Sequence, residues 1–287
     1  MTARTLLLTA VAMLAFAANS LLSRLALQHA SIDPASFGTL RLVSGALVLA
    51  AIVWLRAGTH GTARPDWLAA SMLFAYVACF SFAYLTLSAG TGALILFGMV
   101  QLTMFGVGLR AGERFSAAAW AGLALALAGL LALLAPGVTA PAPGGAALMA
   151  AAGVAWGIYS LRGRGAGDPV AATAGNFLRA APLALALSLV FARDFHVSAE
   201  GVALAVASGA LSSGLGYVIW YAALPGLTAL RAATVQLSVP PLATIGGVLL
   251  LSEALSLRLL LASAAILGGV ALVLFSRSLA ARPRRSA

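Results

Sequence analysis

The chain has 287 residues, of which 62% are apolar and only 8% charged, whereas about 25% of residues are charged in a typical soluble domain. The mean hydropathy of +1.03 therefore indicates a protein that lies mostly in lipid. The net charge is +10 and all 17 basic residues are arginine, which excludes the lysine of a GxxxxGK phosphate-binding loop. The chain thus carries no P-loop ATPase of its own.

Hydrophobic runs separated by glycine, proline and arginine predict ten membrane-spanning helices, because a span of the ~30 Å hydrocarbon core needs about 20 residues. The predicted spans are residues 5–28, 34–55, 66–88, 91–110, 116–135, 143–162, 169–192, 199–222, 229–251 and 257–277. They leave only short loops and no room for an extramembrane domain. The sequence therefore predicts an all-α integral membrane protein.

The arginines near the ends of the spans predict the orientation in the membrane. With ten helices both termini lie on one side, and that side receives eleven arginines while the opposite side receives three. Because basic residues are enriched in cytoplasmic loops, both termini are expected to be cytoplasmic. The same rule accounts for the three arginines between Arg282 and Arg285.

A comparison of the chain with itself, shifted by 140 residues, indicates an internal repeat. The shift aligns Glu113 with Glu253, Arg24 with Arg164, Phe16 with Trp156 and Phe80 with Trp220. A Pro- and Gly-rich stretch at 136–145 lies between the two halves. We therefore predict a first five-helix unit at 1–137, a linker at 138–142 and a second five-helix unit at 143–287. Because five is odd, the second unit must be inverted in the membrane, as in many secondary transporters.

Two short motifs recur in order along the halves. The fourth span of each half ends in a small residue followed by glutamate, as Gly112-Glu113 and Ser252-Glu253. The second motif is an arginine inside the second span of each half, Arg41 and Arg179. This order resembles the drug/metabolite transporter superfamily, specifically its ten-helix EamA-type exporters, and among these it is most similar to the YddG-type aromatic amino-acid exporters.

The resemblance implies a single-chain carrier in the inner membrane of a bacterium that exports amphipathic metabolites by alternating access and has no enzymatic activity. It covers almost the whole chain. One departure is Gln101, which stands where the second half has Pro241 of the Pro240-Pro241 pair. We therefore do not expect equal kinks in spans four and nine.

Eight residues are candidates for substrate binding in a cavity between the halves. Aromatic side chains suit a ring-bearing or aliphatic substrate, and buried amides can bind its polar end through neutral hydrogen bonds. The candidates are Asn19, Phe80, Tyr84, Gln101, Trp156, Tyr159, Trp220 and Gln236. The alternative for all of them is packing between helices or against lipid.

Arg41 and Arg179 are the deepest charges in the predicted spans. Charged groups at such depth are functional candidates, and either guanidinium could receive a substrate carboxylate. Their symmetric placement favours a structural role instead. Glu113 and Glu253 precede spans five and ten, where we expect them to cap free N–H groups.

Acidic residues and histidines all fall at predicted helix ends or in loops, so no intramembrane proton relay is expected and transport is predicted to be facilitated. No HExxH, GxSxG or metal-ligand cluster is present, so we expect no catalytic residue, metal or cofactor. The expected partners are a small-molecule substrate and membrane lipids, with no nucleic acid, and the chain is expected to work as a monomer.

The predicted function is export of amino acids, aromatic and other amphipathic ones, or of related metabolites. The main alternative is a multidrug or toxic-compound exporter of the same superfamily, with or without coupling to an ion. A cationic drug would need an acidic site that the spans lack. A channel or an intramembrane lipid transferase fits the sequence less well, because rings of polar groups and an acid–base or metal set are missing.

Overall fold

The fold is all-α, as the sequence predicts. A computed structural model describes residues 2–56, 66–113, 115–163, 167–227 and 229–280. Its helices are α1 (Ala3–Gln28), α2 (Pro34–Leu55), α3 (Trp67–Ala83), α4 (Ala89–Arg110), α5 (Ala117–Leu134), α6 (Pro143–Arg162), α7 (Pro169–Val190), α8 (Ala199–Val206), α9 (Gly216–Ala223), α10 (Ala229–Gln236), α11 (Val239–Leu251) and α12 (Leu257–Ala280). A π-helix at Ala207–Leu215 joins α8 to α9.

These helices form ten spans. Nine helical stretches in the described ranges are long and apolar enough to cross a membrane, and α3, with 17 residues, is a shorter apolar helix. The third span therefore ends earlier than predicted, because the chain turns after Ala83. The eighth span is α8, the π-helix and α9 in succession.

Several helices begin directly after a residue whose side chain caps the first turn. The side chains of Asp33, Asp66 and Asp168 each accept backbone N–H groups at the first turns of α2, α3 and α7. The hydroxyls of Ser116 and Ser256 do the same for α5 and α12. These serines thus have the capping role that the sequence assigned to the glutamates before them.

Helices of the two halves pack against each other rather than forming separate lobes. The main contacts join α5 to α12, α3 to α6 and α2 to α7. Gly122 and Gly269 bring α5 and α12 together: a Cβ built on Gly122 would lie 2.6 Å from the carbonyl oxygen of Gly269, and one on Gly269 would meet the carbonyl of Gly122. Such close backbone approach is typical of small residues between membrane helices.

The two ends of the bundle are called the Glu253 end and the Asp66 end, after one residue at each. At the Glu253 end, α1 and α3 finish and α2, α4 and α6 begin, and Asp33 accepts the backbone N–H of His196 there. At the Asp66 end, α3 begins and α6 finishes, and Asp66 forms an ion pair with Arg162 at 2.8 Å. The candidate functional side chains lie between these ends.

The glycine contact between α5 and α12 can be tested with two neighbouring positions. We expect Gly269→Ala to destabilise the protein by about 1–3 kcal/mol, because the added methyl group meets backbone atoms that cannot move alone. The control is Gly268→Ala, where a Cβ would have no neighbour within 4 Å and the better helix propensity of alanine is gained. Thermal unfolding in detergent, followed by circular dichroism, measures both. Equal melting temperatures for the two variants would contradict the prediction.

Candidate functional site

A polar network lies in the interior and draws on both halves of the chain. Asn19 of α1 donates from Nδ2 to the hydroxyl of Tyr76 on α3 at 3.3 Å, and Ser208 of the π-helix donates to Asn19 Oδ1 at 2.6 Å. Arg41 of α2 donates from Nη2 to the same Tyr76 hydroxyl at 3.0 Å and from Nε to Ser213 Oγ at 3.3 Å. All five residues are buried.

The π-helix explains how the second half contributes two hydroxyls to this network. Ser208 and Ser213 are five residues apart, a spacing that an α-helix of 3.6 residues per turn would turn to different faces. The i to i+5 pattern of a π-helix brings them to one face. A glycine makes the approach to α2 possible, because a Cβ on Gly209 would meet the Arg41 carbonyl and the Ser44 hydroxyl.

Arg41 is the charged member of this network and is only 1% exposed. Its guanidinium carbon lies 5.1 Å from the ring centre of Tyr76 and 5.0 Å from that of Phe80, so two rings share its surroundings. Its described hydrogen-bond partners, Tyr76 and Ser213, are neutral. Its buried Nη1 atom has no hydrogen-bond partner.

An aromatic cluster surrounds the polar network. It consists of Phe16, Tyr76, Phe80, Tyr84, Trp156, Tyr159, Phe177, Tyr217 and Trp220, which are linked ring to ring. Trp156 is central, with its ring centre 4.8 Å from that of Tyr76 and stacked at 5.6 Å on that of Tyr217. Contacts of this kind between rings stabilise by about 0.5–1.5 kcal/mol beyond the area they bury. The cluster joins α3 of the first half to α6 and α9 of the second.

The structure brings six of the eight predicted site residues together. Five are members of the aromatic cluster, namely Phe80, Tyr84, Trp156, Tyr159 and Trp220, and Asn19 belongs to the polar network that the cluster surrounds. Gln101 on α4 and Gln236 at the end of α10 are half-buried. Within the described residues neither joins the network or the cluster. The binding role of all eight stays a prediction.

The structure adds two features of this centre that the sequence does not predict, namely the two serines of the π-helix and the difference between Arg41 and Arg179. Ser208 and Ser213 were not candidates, and their i, i+5 spacing was the only available signal. Arg41 and Arg179 were treated as a symmetric pair, but the structure separates them. Arg179 donates to the carbonyl of Gly175 on its own helix at 2.8 Å, whereas Arg41 reaches across to the other half.

The Glu253 end is closed by a second set of contacts. Glu253 accepts the backbone N–H of Ala89 at 3.0 and 2.9 Å, so it caps α4, and it pairs with Arg24 Nε at 3.3 Å. Arg24 also donates to the carbonyl of Tyr84 at 2.9 Å. Beside them α4 and α11 touch, since a Cβ on Gly90 would meet Thr244. These contacts tie α1, the α3 terminus, α4 and α11 into one unit.

The recurring small-residue and glutamate motif has a backbone explanation. Ser252 and Gly112 both have positive φ, 54° and 80°, and the next residue in each case donates its N–H back to the helix, Glu253 to Gly247 and Glu113 to Gly108. This is a left-handed helix cap, which glycine adopts without strain. In the second half it turns Glu253 back toward α4.

The Asp66 end is less closed around α4 and α10. The residues of α4 up to Val100 are buried except Thr91 and Met99, but beyond Val100 only Phe105 and Gly108 are buried. A Cβ on Gly106 would have no neighbour within 4 Å, whereas one on its repeat partner Gly246 would meet Leu21.

Polar groups also concentrate at the Asp66 end. Thr234 and Gln236 of α10 are half-exposed, in a helix that is more polar than the other spans. Burial raises the pKa of Asp66, but the bonds from Arg162 and the Ala69 N–H lower it by more and hold it below the usual aspartate value.

The ninth span is broken where the prolines stand. A turn at Leu237 and Ser238 separates α10 from α11, so Pro240 and Pro241 lie in the first turn of α11 rather than inside a continuous helix. Having no N–H, they leave the carbonyls of Gln236 and Leu237 without helical donors. The corresponding α4, which has Gln101, is continuous, as the departure from the repeat predicted.

Comparisons with known proteins agree with this architecture. Residues 143–275 match the model of the EamA-like transporter family. A Pseudomonas aeruginosa protein described as "Uncharacterized protein PA1977" is 56% identical over 274 residues, which are 96% of each chain. A solved structure titled "Crystal structure of protein" is similar with a TM-score of 0.65 and 25% identity, over 97% of this chain and 99% of that one.

The closure at the Glu253 end can be tested by removing one charge. We expect Glu253→Gln to open the contact between α4 and α11, because the amide no longer pairs with Arg24 and accepts the Ala89 N–H more weakly. A Thr244→Cys reporter in a Cys79→Ser background should then react at least about fivefold faster with a membrane-impermeant maleimide.

The matched control is Glu200→Gln. Glu200 lies at the same end, in the first turn of α8, and contacts Ser31 rather than α4. The Glu200→Gln substitution should leave the labelling rate of the Thr244→Cys reporter unchanged. Equal rates in the Glu253→Gln and parent proteins would show that this ion pair does not hold the end closed.

Proposed function

We propose that the chain, whose residues 143–275 match the model of the EamA-like transporter family, is a secondary exporter of amino acids, aromatic and other amphipathic ones, or of closely related metabolites. Export proceeds by alternating access in the inner membrane of a bacterium. Both termini face the cytoplasm, which follows from the bias of the arginines between the two sides. The closer likeness to YddG-type exporters stays a prediction.

The observation that carries the proposal is the aromatic cluster built around a polar network. Nine linked rings from both halves adjoin the polar network through Tyr76 and Phe80, so apolar and hydrogen-bonding groups lie side by side. An amino acid has the same two parts, a side chain and a polar backbone end. Ligand sites commonly combine such apolar linings with a few fixed polar groups.

Alternating access is supported by the difference between the two ends. With cytoplasmic termini, the Glu253 end faces the periplasm and is closed by Arg24, Glu253 and the start of α4. The Asp66 end then faces the cytoplasm, and there α4 and α10 present half-exposed polar residues. This arrangement suits a carrier that waits for its substrate on the cytoplasmic side.

Facilitated transport without proton coupling is supported by where the carboxylates lie. All seven Asp and Glu residues of the chain stand at helix starts, helix ends or connections, as Asp33, Asp66, Glu113, Asp168, Asp194, Glu200 and Glu253. His29 and His196 lie in the same kind of position, and His60 is outside the described residues. Proton-driven carriers usually move their proton through acidic groups or histidines inside the spans.

The alternative of a multidrug exporter for cations is disfavoured by one feature of the centre. The charged group that the cluster surrounds is a guanidinium, Arg41, which repels a cationic substrate. No carboxylate is among its described hydrogen-bond partners.

The experiment is uptake of labelled phenylalanine and leucine by proteoliposomes without an ion gradient. We expect saturable uptake that increases when the vesicles are preloaded with unlabelled substrate. Uptake only with a proton gradient would overturn the facilitated mechanism. No uptake under either condition would overturn the amino-acid assignment.

Trp156 provides the residue-level test of the same proposal. We expect Trp156→Ala to weaken phenylalanine uptake at least about tenfold in apparent affinity, because the central ring of the cluster is lost. The control is Trp54→Ala, since Trp54 is 75% exposed at the end of α2. Unchanged uptake by the Trp156 variant, at equal amounts of membrane protein, would contradict a binding role.

A further inference from the structure

Arg41 has N–H donors for which no acceptor is found among the described residues. Of the five N–H groups of a guanidinium, the Nε hydrogen goes to Ser213 and one Nη2 hydrogen to Tyr76, so three remain, two of them on the unpartnered Nη1. Nη1 and Nη2 form one edge of the group. That edge presents two parallel N–H bonds, the geometry that a carboxylate accepts with both oxygens.

The other arginines with described contacts donate to carboxylates or to backbone carbonyls. Arg24 and Arg162 each meet a carboxylate, Glu253 and Asp66. Arg179 and Arg258 donate to backbone carbonyls. Arg41 is more deeply buried than any of them and its hydrogen bonds end on hydroxyls alone. An arginine kept only for structure would be expected to have an acceptor as strong as theirs.

We propose that Arg41 binds the carboxylate of the transported substrate through the unpartnered Nη1 and the remaining hydrogen of Nη2, while the neighbouring rings receive an apolar side chain. This rests on the proposed function and narrows it, because the substrate class becomes carboxylates that carry an aromatic or apolar body.

Tyr76 supports the same assignment. Its hydroxyl accepts from both Asn19 and Arg41, so its own hydrogen is left to donate. The hydroxyl oxygen lies beside the guanidinium, 3.0 Å from Nη2, and its hydrogen can rotate about the C–O bond. An anion bound to Arg41 therefore has a second donor within reach, and the ring of Phe80 near the guanidinium supplies an apolar neighbour for the rest of the ligand.

The test compares three ligands that differ in one group each. Phenylalanine has both carboxylate and amine, 3-phenylpropionate lacks the amine, and phenethylamine lacks the carboxylate. In wild-type proteoliposomes, we expect phenylalanine and 3-phenylpropionate to compete with labelled phenylalanine at least about tenfold better than phenethylamine does. Equal competition by phenethylamine overturns the proposal without any variant.

Variants then assign the preference to Arg41. In Arg41→Gln, the ratio between the competing affinities of phenylalanine and phenethylamine should fall to near one. Arg41→Lys keeps the charge and should retain part of the wild-type ratio. The control is Arg179→Gln, the same change at the repeat-related position, which should keep the wild-type ratio. An unchanged ratio in Arg41→Gln overturns the assignment while leaving amino-acid transport intact. Failure of the wild type to take up phenylalanine at all overturns the proposed function, and this inference with it.

Discussion

A guanidinium held away from water in the middle of a helical bundle is the constraint on which the rest of this centre depends. Placing an arginine at the centre of a span costs about 2.5–3.5 kcal/mol on insertion scales, so its environment must compensate. Here the compensation comes from two hydroxyls and two aromatic rings around Arg41, supplied by α3 and by the π-helix. The fold has to bring elements about 170 residues apart in sequence to one point, and Arg41 with Ser213 is that point.

The close approach of neighbouring helices allows Arg41 and Ser213 to meet. Gly209 lies against the backbone of α2 beside Arg41, and Gly45 lies against the ring of Phe177, so α2 packs between α7 and the π-helix at short range. At the Glu253 end Gly90 and Gly247 also allow close approach, because they leave room for Thr244 and for the carboxylate of Glu253. Small residues thus decide where the halves touch, and the larger polar and aromatic groups occupy the spaces between those contacts.

The spans could be predicted from the sequence because hydropathy and length alone define them. Five of the nine aromatic members of the cluster were also predictable; Phe80 and Tyr84, for example, stand four residues apart and their rings are in contact. Hydropathy does not set the rotation of a helix, so it does not predict which of the candidates join the polar network; the hydrogen bonds described for that network do not include Gln101 or Gln236. The sequence also could not predict that Arg41 and Arg179 have different contacts. Arg41 donates to Ser213 of the other half, whereas Arg179 donates to Gly175 of its own helix. The π-helix that positions Ser213 is not predicted by the local hydropathy pattern.

The distribution of the five tryptophans gives the molecule two separate optical reporters. Trp156 and Trp220 belong to the aromatic cluster, whereas Trp54, Trp67 and Trp120 are 75%, 59% and 49% exposed on the outside of the bundle. Quenchers attached to lipid chains therefore reach the emission of the outer three, while a ligand in the centre alters the emission of the inner two. Intrinsic fluorescence of the unmodified protein can thus separate changes at the proposed site from changes at the outside of the bundle.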